Sequence, residues 1–185
     1  MRPVPWWGVL SAACAPVSLI GGWTVAASRQ TGGFDPVTET ISALAAHGAT
    51  DRWIMTGGLA GLGACHVVTA LGLRSAAWPG RLVLGAGGVA TALVAAFPQP
   101  EDGASTAHFW AAATGFVTLS LWPALAWRNI PALGASALLT ADLVWFAVEL
   151  SGKGGLIGLS ERAVAGAQAL CPLVAVLLLR RRSIR

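Results

Sequence analysis

Apolar residues fall into six long runs that are separated by short polar stretches. The runs cover residues 5–27, 52–74, 81–98, 106–127, 131–150 and 161–179. A helix of about 20 residues crosses the hydrocarbon core of a bilayer, where backbone hydrogen bonds must be satisfied within the segment. The pattern therefore predicts an all-α polytopic membrane protein. We expect a bundle of six transmembrane helices that forms a single integral membrane domain over residues 1–185.

The composition favours the same class of protein. Apolar residues make up 55% of the chain and charged residues only 11%, against about 25% charged residues in soluble domains. The net charge of +4 does not indicate a nucleic-acid partner, because the basic residues are scattered singly except in the terminal RRRSIR. Such a cluster is typical of a segment that flanks a membrane and contacts lipid headgroups. We therefore expect membrane lipids, and no nucleic acid, as partners.

The distribution of arginine and lysine in the short loops predicts the orientation, since these residues are enriched on the cytoplasmic side. Eight basic residues would lie on one side and four on the other. The first set is Arg2, Arg74, Arg81, Arg128 and the four arginines of residues 180–185; the second is Arg29, Arg52, Lys153 and Arg162. We expect a multi-pass protein of the plasma membrane with both termini in the cytoplasm.

The polar stretch between the first two runs, FDPVTETISALAAHGATDR (residues 34–52), has a helical pattern of its own. Asp35 followed by Pro36 is a favourable helix start, because the aspartate can cap the helix and proline fits its first position. Gly48 is suited to end the helix. We expect a short amphipathic helix on the outer face, with Thr38, Glu39 and Ser42 on its polar side. Its apolar side would comprise Val37, Ile41, Leu44 and Ala45.

Few ionisable residues lie within the spans, and each is a candidate for function because charge is costly to bury in a membrane. A helix rises 1.5 Å per residue, so His66 and Asp142 lie roughly 12 and 16 Å from the cytoplasmic ends of their spans. His108 and Glu149 lie roughly 27–28 Å up, near the outer rim. The two histidines are thus too far apart to bind one haem.

Several polar motifs, in order, carry a resemblance to a known family. The segments are DPVTETISALAAHGATDRW, GGLAGLG, AAFPQPEDGASTAHFW and GLIGLSER. Together they resemble the bacterial membrane family called domain of unknown function 998. The resemblance implies six membrane helices in a bacterial inner membrane and no established activity. The matching positions are Asp35, Ser42, Leu44, Phe97, Pro98, Asp102, His108, Glu161 and Arg162. The turn PQPEDG departs from the family's shorter, single-acid turn, which leaves the roles of Glu101 and Asp102 open.

The first functional hypothesis is an accessory protein that binds a lipid, an isoprenoid or another amphiphile in a polar pocket on the outer face. Arg162 would lie near a phosphate, and the other polar residues would supply hydrogen bonds. The proposed ligand-binding residues are Asp35, Thr38, Glu39, Ser42, Asp102, His108, Glu161 and Arg162.

The alternative is a membrane-embedded enzyme, and the sequence leaves open whether the chain is one. A hydrolase would use Ser42, His108 and Asp102 as nucleophile, base and orienting acid, although no G-x-S-x-G motif is present. A cyclase would use Asp142 and Glu149 to protonate an isoprenoid.

A metal-dependent lipid hydrolase would draw its ligands from His47, His108 and either Glu101 or Asp102, but the chain has no HxxxH or HExxH spacing. No nucleotide or dinucleotide motif is present either. We therefore expect no cofactor and no metal, and the sequence does not determine the oligomeric state.

Overall fold

The protein is a bundle of six helices, each long and apolar enough to cross a membrane. The computed structural model describes residues 3–184, without the side chains of residues 153 and 182–184, and contains no strand in that range. The spans are α1 (Trp6–Ser28), α2 (Trp53–Gly72), α3 (Trp78–Ala96), α4 (Thr106–Ala126), α5 (Ile130–Gly152) and α6 (Ile157–Arg181). The predicted six-helix membrane bundle is confirmed.

Each helix packs against its neighbours in sequence, and α1 closes the bundle by packing against both α2 and α6. The chain therefore alternates between two ends of the bundle. At one end α1, α3 and α5 finish and α2, α4 and α6 begin; we call it the polar end, because it includes the connection of residues 29–52. The opposite end carries the first and last described residues, 3 and 184, and the connections of residues 73–77 and 127–129.

Glycines bring α2 and α3 into backbone contact. A Cβ atom added to Gly63 would lie 2.6 Å from the carbonyl oxygen of Gly88, and one added to Gly88 would lie 2.6 Å from the carbonyl oxygen of Gly63. Small residues let membrane helices approach closely enough for dispersion contacts to hold them together. The segments GGLAGLG and GAGG thus join these two helices.

The connection between α1 and α2 differs from the expected amphipathic helix. Asp35 does begin a helical turn, since Val37 N donates to Asp35 Oδ1 (2.9 Å) and Glu39 N donates to Asp35 O (2.8 Å). The turn does not continue, and the short helix present is a 3-10 helix, Ser42–Ala45. In a continuing helix the carbonyls of Pro36 and Glu39 would accept hydrogen bonds from amides further along the connection. Here they accept hydrogen bonds from Arg162 of α6 instead.

The apolar residues of this connection are buried only in part. Ile41, Leu44 and Ala45 are at most 3% exposed and belong to the core between α1 and α2, whereas Val37 is 38% exposed. The connection therefore packs onto the bundle through its second half.

We predict that Gly88→Ala destabilises the bundle by about 1–3 kcal/mol, the usual cost of overpacking a close contact. Gly57→Ala in α2 is the matched control, because its Cβ would meet no atom within 4 Å and alanine favours helix by up to about 1 kcal/mol. Reversible unfolding of the purified protein in detergent measures both changes. Equal stability of Gly88→Ala and wild type would contradict the contact.

Candidate functional site

Ser42 lies where three segments meet at the polar end. Its hydroxyl oxygen is 3.2 Å from His108 Nε2 and 3.2 Å from Glu161 Oε1. Ser42 belongs to the 3-10 helix, His108 to the first turn of α4, and Glu161 to the beginning of α6. We call these three residues the Ser42 cluster. The cluster joins side chains that are 66 and 119 residues apart in sequence.

The ring of His108 is held in one orientation. Ser105 caps α4 by accepting a hydrogen bond from His108 N (3.2 Å), and the side chain of His108 is only 3% exposed. His108 Nδ1 lies 2.9 Å from the carbonyl oxygen of Phe97. A carbonyl only accepts, so Nδ1 carries the proton, and in the neutral ring Nε2 is then an acceptor. His108 is therefore arranged to accept the hydroxyl proton of Ser42.

Glu161 competes for that same proton. The carboxyl group is buried, with the residue 4% exposed, and it accepts hydrogen bonds from Ile41 N and from the Ser42 hydroxyl. A hydroxyl has one proton, so Ser42 donates either to Glu161 or to His108. A protonated Glu161 would donate to Ser42, which then donates to His108. Ser42 thus connects a carboxyl group and an imidazole through one hydroxyl.

Arg162 holds the connection between α1 and α2 against α6. Its Nη1 donates to the carbonyl oxygens of Pro36 (2.9 Å), Glu39 (2.8 Å) and Gly158 (2.9 Å). The guanidinium also lies 5.3 Å from the ring of Phe34. Through Nη1 this arginine acts as a clamp between the connection and α6, whereas its Nη2 is buried without a hydrogen-bond partner among the described residues.

Gly158 makes that clamp possible. A Cβ atom at this position would lie 2.2 Å from the carbonyl oxygen of Glu39 and 2.7 Å from that of Pro36. The amide of Leu159 donates to the carbonyl oxygen of Val37 (3.1 Å). The connection therefore rests directly on the backbone of α6, and a side chain at residue 158 would separate them.

A cavity of about 60 Å³ lies beneath the Ser42 cluster, inside the bundle. Ser42 and Glu161 line its upper part, and His66, Thr91 and Gln168 line it together with apolar side chains. His66 is fully buried, and neither ring nitrogen has a hydrogen-bond partner among residues 3–184. Since a buried polar group normally has a partner, His66 makes the cavity suitable for water or for a polar ligand atom.

A second cavity, of about 390 Å³, lies on the other side of the same connection. We call it the polar depression. Residues 30–34, 43–44, 46 and 48–50 line it, and its ionisable lining residues are Glu39 and Glu101. Ala43 and Leu44 border the depression, whereas Ile41 and Ser42 border the interior cavity. The 3-10 helix is therefore a thin wall between the two cavities.

The structure places the other predicted ligand-binding residues apart from the Ser42 cluster. Asp35 is exposed and bonded within its own turn, where hydrogen bonds from the amide of Val37 and the hydroxyl of Thr38 lower its pKa. Glu39 Oε1 accepts from the amide of Asp35 (2.8 Å). Asp102 is exposed, and no hydrogen bond to it occurs in the described part of the chain. The acidic neighbour of Ser42 is thus Glu161 and not Asp102.

The two acids of α5 are also separate from the cluster. Asp142 is half-buried and has no hydrogen-bond partner among the described residues. Glu149 is 9% exposed, and its Oε2 accepts from the amide of Leu156 (2.9 Å). A Cβ atom at Gly154 would lie 2.1 Å from the Glu149 carboxylate, so this glycine allows the α5–α6 turn to close over it. Glu149 therefore stabilises a turn.

Sequence reasoning did not identify the groups that orient the cluster: the carbonyl of Phe97, the cap residue Ser105 and the amide of Ile41. A signal for one of them was present, since Ser105 stands three residues before His108 at the start of an apolar run, as an N-cap does. Among residues 3–184, no group of three or more histidine, cysteine, aspartate or glutamate residues could hold a metal ion.

Comparison with known proteins gives a family. The model of the family described as Protein of unknown function (DUF998) matches residues 12–178, so the chain belongs to this family. Neither a curated protein nor a solved structure matches the chain. The family match covers all four polar motifs that carried the resemblance, including the GxxxR motif formed by Gly158 and Arg162.

We predict that Arg162→Gln weakens the attachment of the connection between α1 and α2 to α6. Hydrogen bonds to a charged donor contribute about 1.5–3 kcal/mol, so exchange of the amides of Glu39 and Ile41 should accelerate at least about tenfold. Hydrogen–deuterium exchange with mass spectrometry measures this change. The control is Arg29→Gln, which removes an exposed ion pair of 4.0 Å and should change exchange little. Unchanged exchange in Arg162→Gln would show that the clamp is dispensable.

Proposed function

We propose that this membrane protein binds the head of a lipid or another amphiphile in the polar depression, in an accessory role. The observation that carries the proposal is a polar cavity of about 390 Å³ at the level where the spans end. Headgroups lie at this level of a bilayer. A ligand held here keeps its apolar part in the membrane beside the bundle.

The acidic residues of the depression favour binding of particular lipid headgroups. Glu39 and Glu101 are acidic, so they attract an ammonium group and accept hydrogen bonds from hydroxyl groups. Arg162 does not line the depression, and its Nη1 donates to carbonyls of the protein, which argues against the expected role beside a phosphate in the depression. We therefore favour a head with an ammonium group or several hydroxyls over a bare phosphate.

A ligand in the depression would also act on the Ser42 cluster. Ala43 and Leu44 line the depression, and their neighbour Ser42 hydrogen-bonds to His108 and Glu161. Movement of the 3-10 helix by a bound head would therefore change the hydrogen bonds of the cluster. This link gives the binding site a means of signalling to the interior of the bundle.

We further propose that the polar end faces away from the cytoplasm in the plasma membrane. Basic residues are fewer in the connections at this end, with four against eight on the other side, and the cytoplasmic side normally carries the excess. The head that binds would then belong to the outer leaflet.

We predict that Glu101→Gln weakens binding of phosphatidylethanolamine about tenfold, because a charged hydrogen bond of about 1.5–3 kcal/mol is lost. Phosphatidic acid, which has no ammonium group, should bind wild type and Glu101→Gln with the same affinity. Native mass spectrometry of the detergent-solubilised protein, titrated with each lipid, measures the affinities.

The matched control for this titration is Asp51→Asn. Asp51 lies at the same end of the bundle but does not line the depression, and its φ of 50° is one that asparagine adopts readily. This variant should bind as wild type does. If Glu101→Gln and Asp51→Asn have the same affinity for phosphatidylethanolamine, the depression is not the binding site.

A second candidate function, lipid or ester hydrolysis, is favoured by one observation. The Phe97 carbonyl fixes the tautomer of His108 in which Nε2 can take the proton of Ser42, and a serine beside a base is the arrangement of a nucleophile. The Phe97 carbonyl thus stands where the hypothesis had Asp102. An isoprenoid cyclase gains no such support, because the carboxylate of Glu149 is engaged by the amide of Leu156.

The hydrolase hypothesis predicts that Ser42 reacts with a fluorophosphonate probe in the folded protein. Labelling should be absent in Ser42→Ala and about 10²–10⁴-fold slower in His108→Gln, since the general base is lost. In-gel fluorescence and peptide mapping detect the adduct. Ser151→Ala, which changes an exposed serine at the same end of the bundle and outside the cluster, is the control and should label as wild type does. Wild-type protein that labels no faster than Ser42→Ala would exclude a nucleophilic role.

A further inference from the structure

The opposite end of the bundle holds a groove between α4, α5 and α6. Its volume is about 280 Å³, and its lining is almost entirely apolar. The residues that define it are Trp122, Trp127, Ala135, Cys171, Ala175 and Leu178. Residues of the polar depression and of the Ser42 cluster are absent from it.

Small side chains account for the open space. Ala132 and Ala135 of α5 face Ala175 of α6 across the groove, and the side chains of these alanines are too short to fill it. Protein interiors contain few voids larger than a water molecule. At membrane depth, an apolar groove of this size takes up hydrocarbon from the surrounding lipid.

Two unpaired hydrogen-bond donors indicate that a ligand of the groove also has a polar part that accepts hydrogen bonds. The indole Nε1 atoms of Trp122 and Trp127 are buried and have no acceptor among residues 3–184. Trp122 lies in the last turn of α4 and Trp127 directly after the helix, at the depth where the hydrocarbon core ends. Lipid ester carbonyls lie at this depth and accept hydrogen bonds. An acyl ester would satisfy both indole groups.

The charges around the groove select the head. Arg128 stands between the lining residues Trp127 and Asn129 and is exposed, and Arg181 is exposed two residues after the lining residue Leu179. None of the eight acidic residues of the chain lies in the connections at this end. A basic rim beside an apolar groove attracts an anionic headgroup.

We infer that the groove between α4, α5 and α6 is a second binding site, specific for an anionic phospholipid. One acyl chain would lie along Ala135, Ala175 and Leu178, the ester group would meet the two indoles, and the phosphate would meet Arg128. This site is independent of the proposed function of the polar end.

Native mass spectrometry tests the site with phosphatidylglycerol and phosphatidylcholine that carry the same acyl chains. We expect wild type to bind phosphatidylglycerol at least tenfold more tightly. Arg128→Gln should reduce this preference to less than threefold, whereas Arg74→Gln, an equal change of charge at the same end, should preserve it. Ser42→Ala should keep the preference for phosphatidylglycerol, which separates this site from the polar end.

A second set of variants tests the site by filling the groove with a larger side chain. Ala135→Trp should abolish the preference for phosphatidylglycerol, and Ala135→Leu, which adds less volume, should weaken this preference if the larger variant does not fold. Leu82→Trp is the control, because Leu82 is 61% exposed on α3 and outside the groove. Equal affinity of wild type for the two lipids would overturn the inference. So would a dimer that Ala135→Trp disrupts, because the occupant would then be a second copy of the chain.

Discussion

Two adjacent side chains at the start of α6 satisfy the backbone of a non-helical segment at the membrane boundary. Glu161 accepts from the amide of Ile41, and Arg162 donates to the carbonyls of Pro36 and Glu39. Backbone groups that leave water without a partner carry a large cost, and at membrane depth only helices supply partners by themselves. The connection between α1 and α2 can therefore lie against the bundle only because α6 provides these hydrogen bonds.

The rest of the polar end follows from this constraint. Because Ile41 is fixed on Glu161, the next residue, Ser42, is brought within 3.2 Å of His108. The 3-10 helix that begins at Ser42 then separates the interior cavity from the polar depression. The hydrogen bonds of Glu161 and Arg162 thus hold in place both the candidate site and the segment that separates the two cavities.

The sequence predicted the helices well because crossing a bilayer requires long apolar runs, and little else competes with that signal. The expected segment 106–127 corresponds to α4, Thr106–Ala126. The start of α6 was placed later than Ile157, because Glu161 and Arg162 looked like residues at an interface. The structure explains the difference, since both are inside the helix and are satisfied by the connection.

The site was predictable in part, because the helices that carry its residues were predictable. Depth along a helix follows from residue count, so His108 could be placed at the rim. Which acid meets Ser42 depends on contacts between distant segments, and a single sequence carries no record of them. The helix expected over residues 35–48 was wrong for the same reason. Asp35 begins a turn by local capping, but Arg162, which is 126 residues after Pro36, determines where that turn ends.

The two ends of the bundle differ in charge in a way that bears on both binding proposals. Seven of the eight acidic residues lie at the polar end, and Asp142 lies within α5. Most basic residues lie at the opposite end. Exposed charges act over about 8 Å at physiological salt, whereas a span of 20 residues is about 30 Å long. Each end therefore selects its lipid head independently: the acidic depression favours an ammonium or hydroxyl head, and the arginines beside Trp127 favour an anionic one.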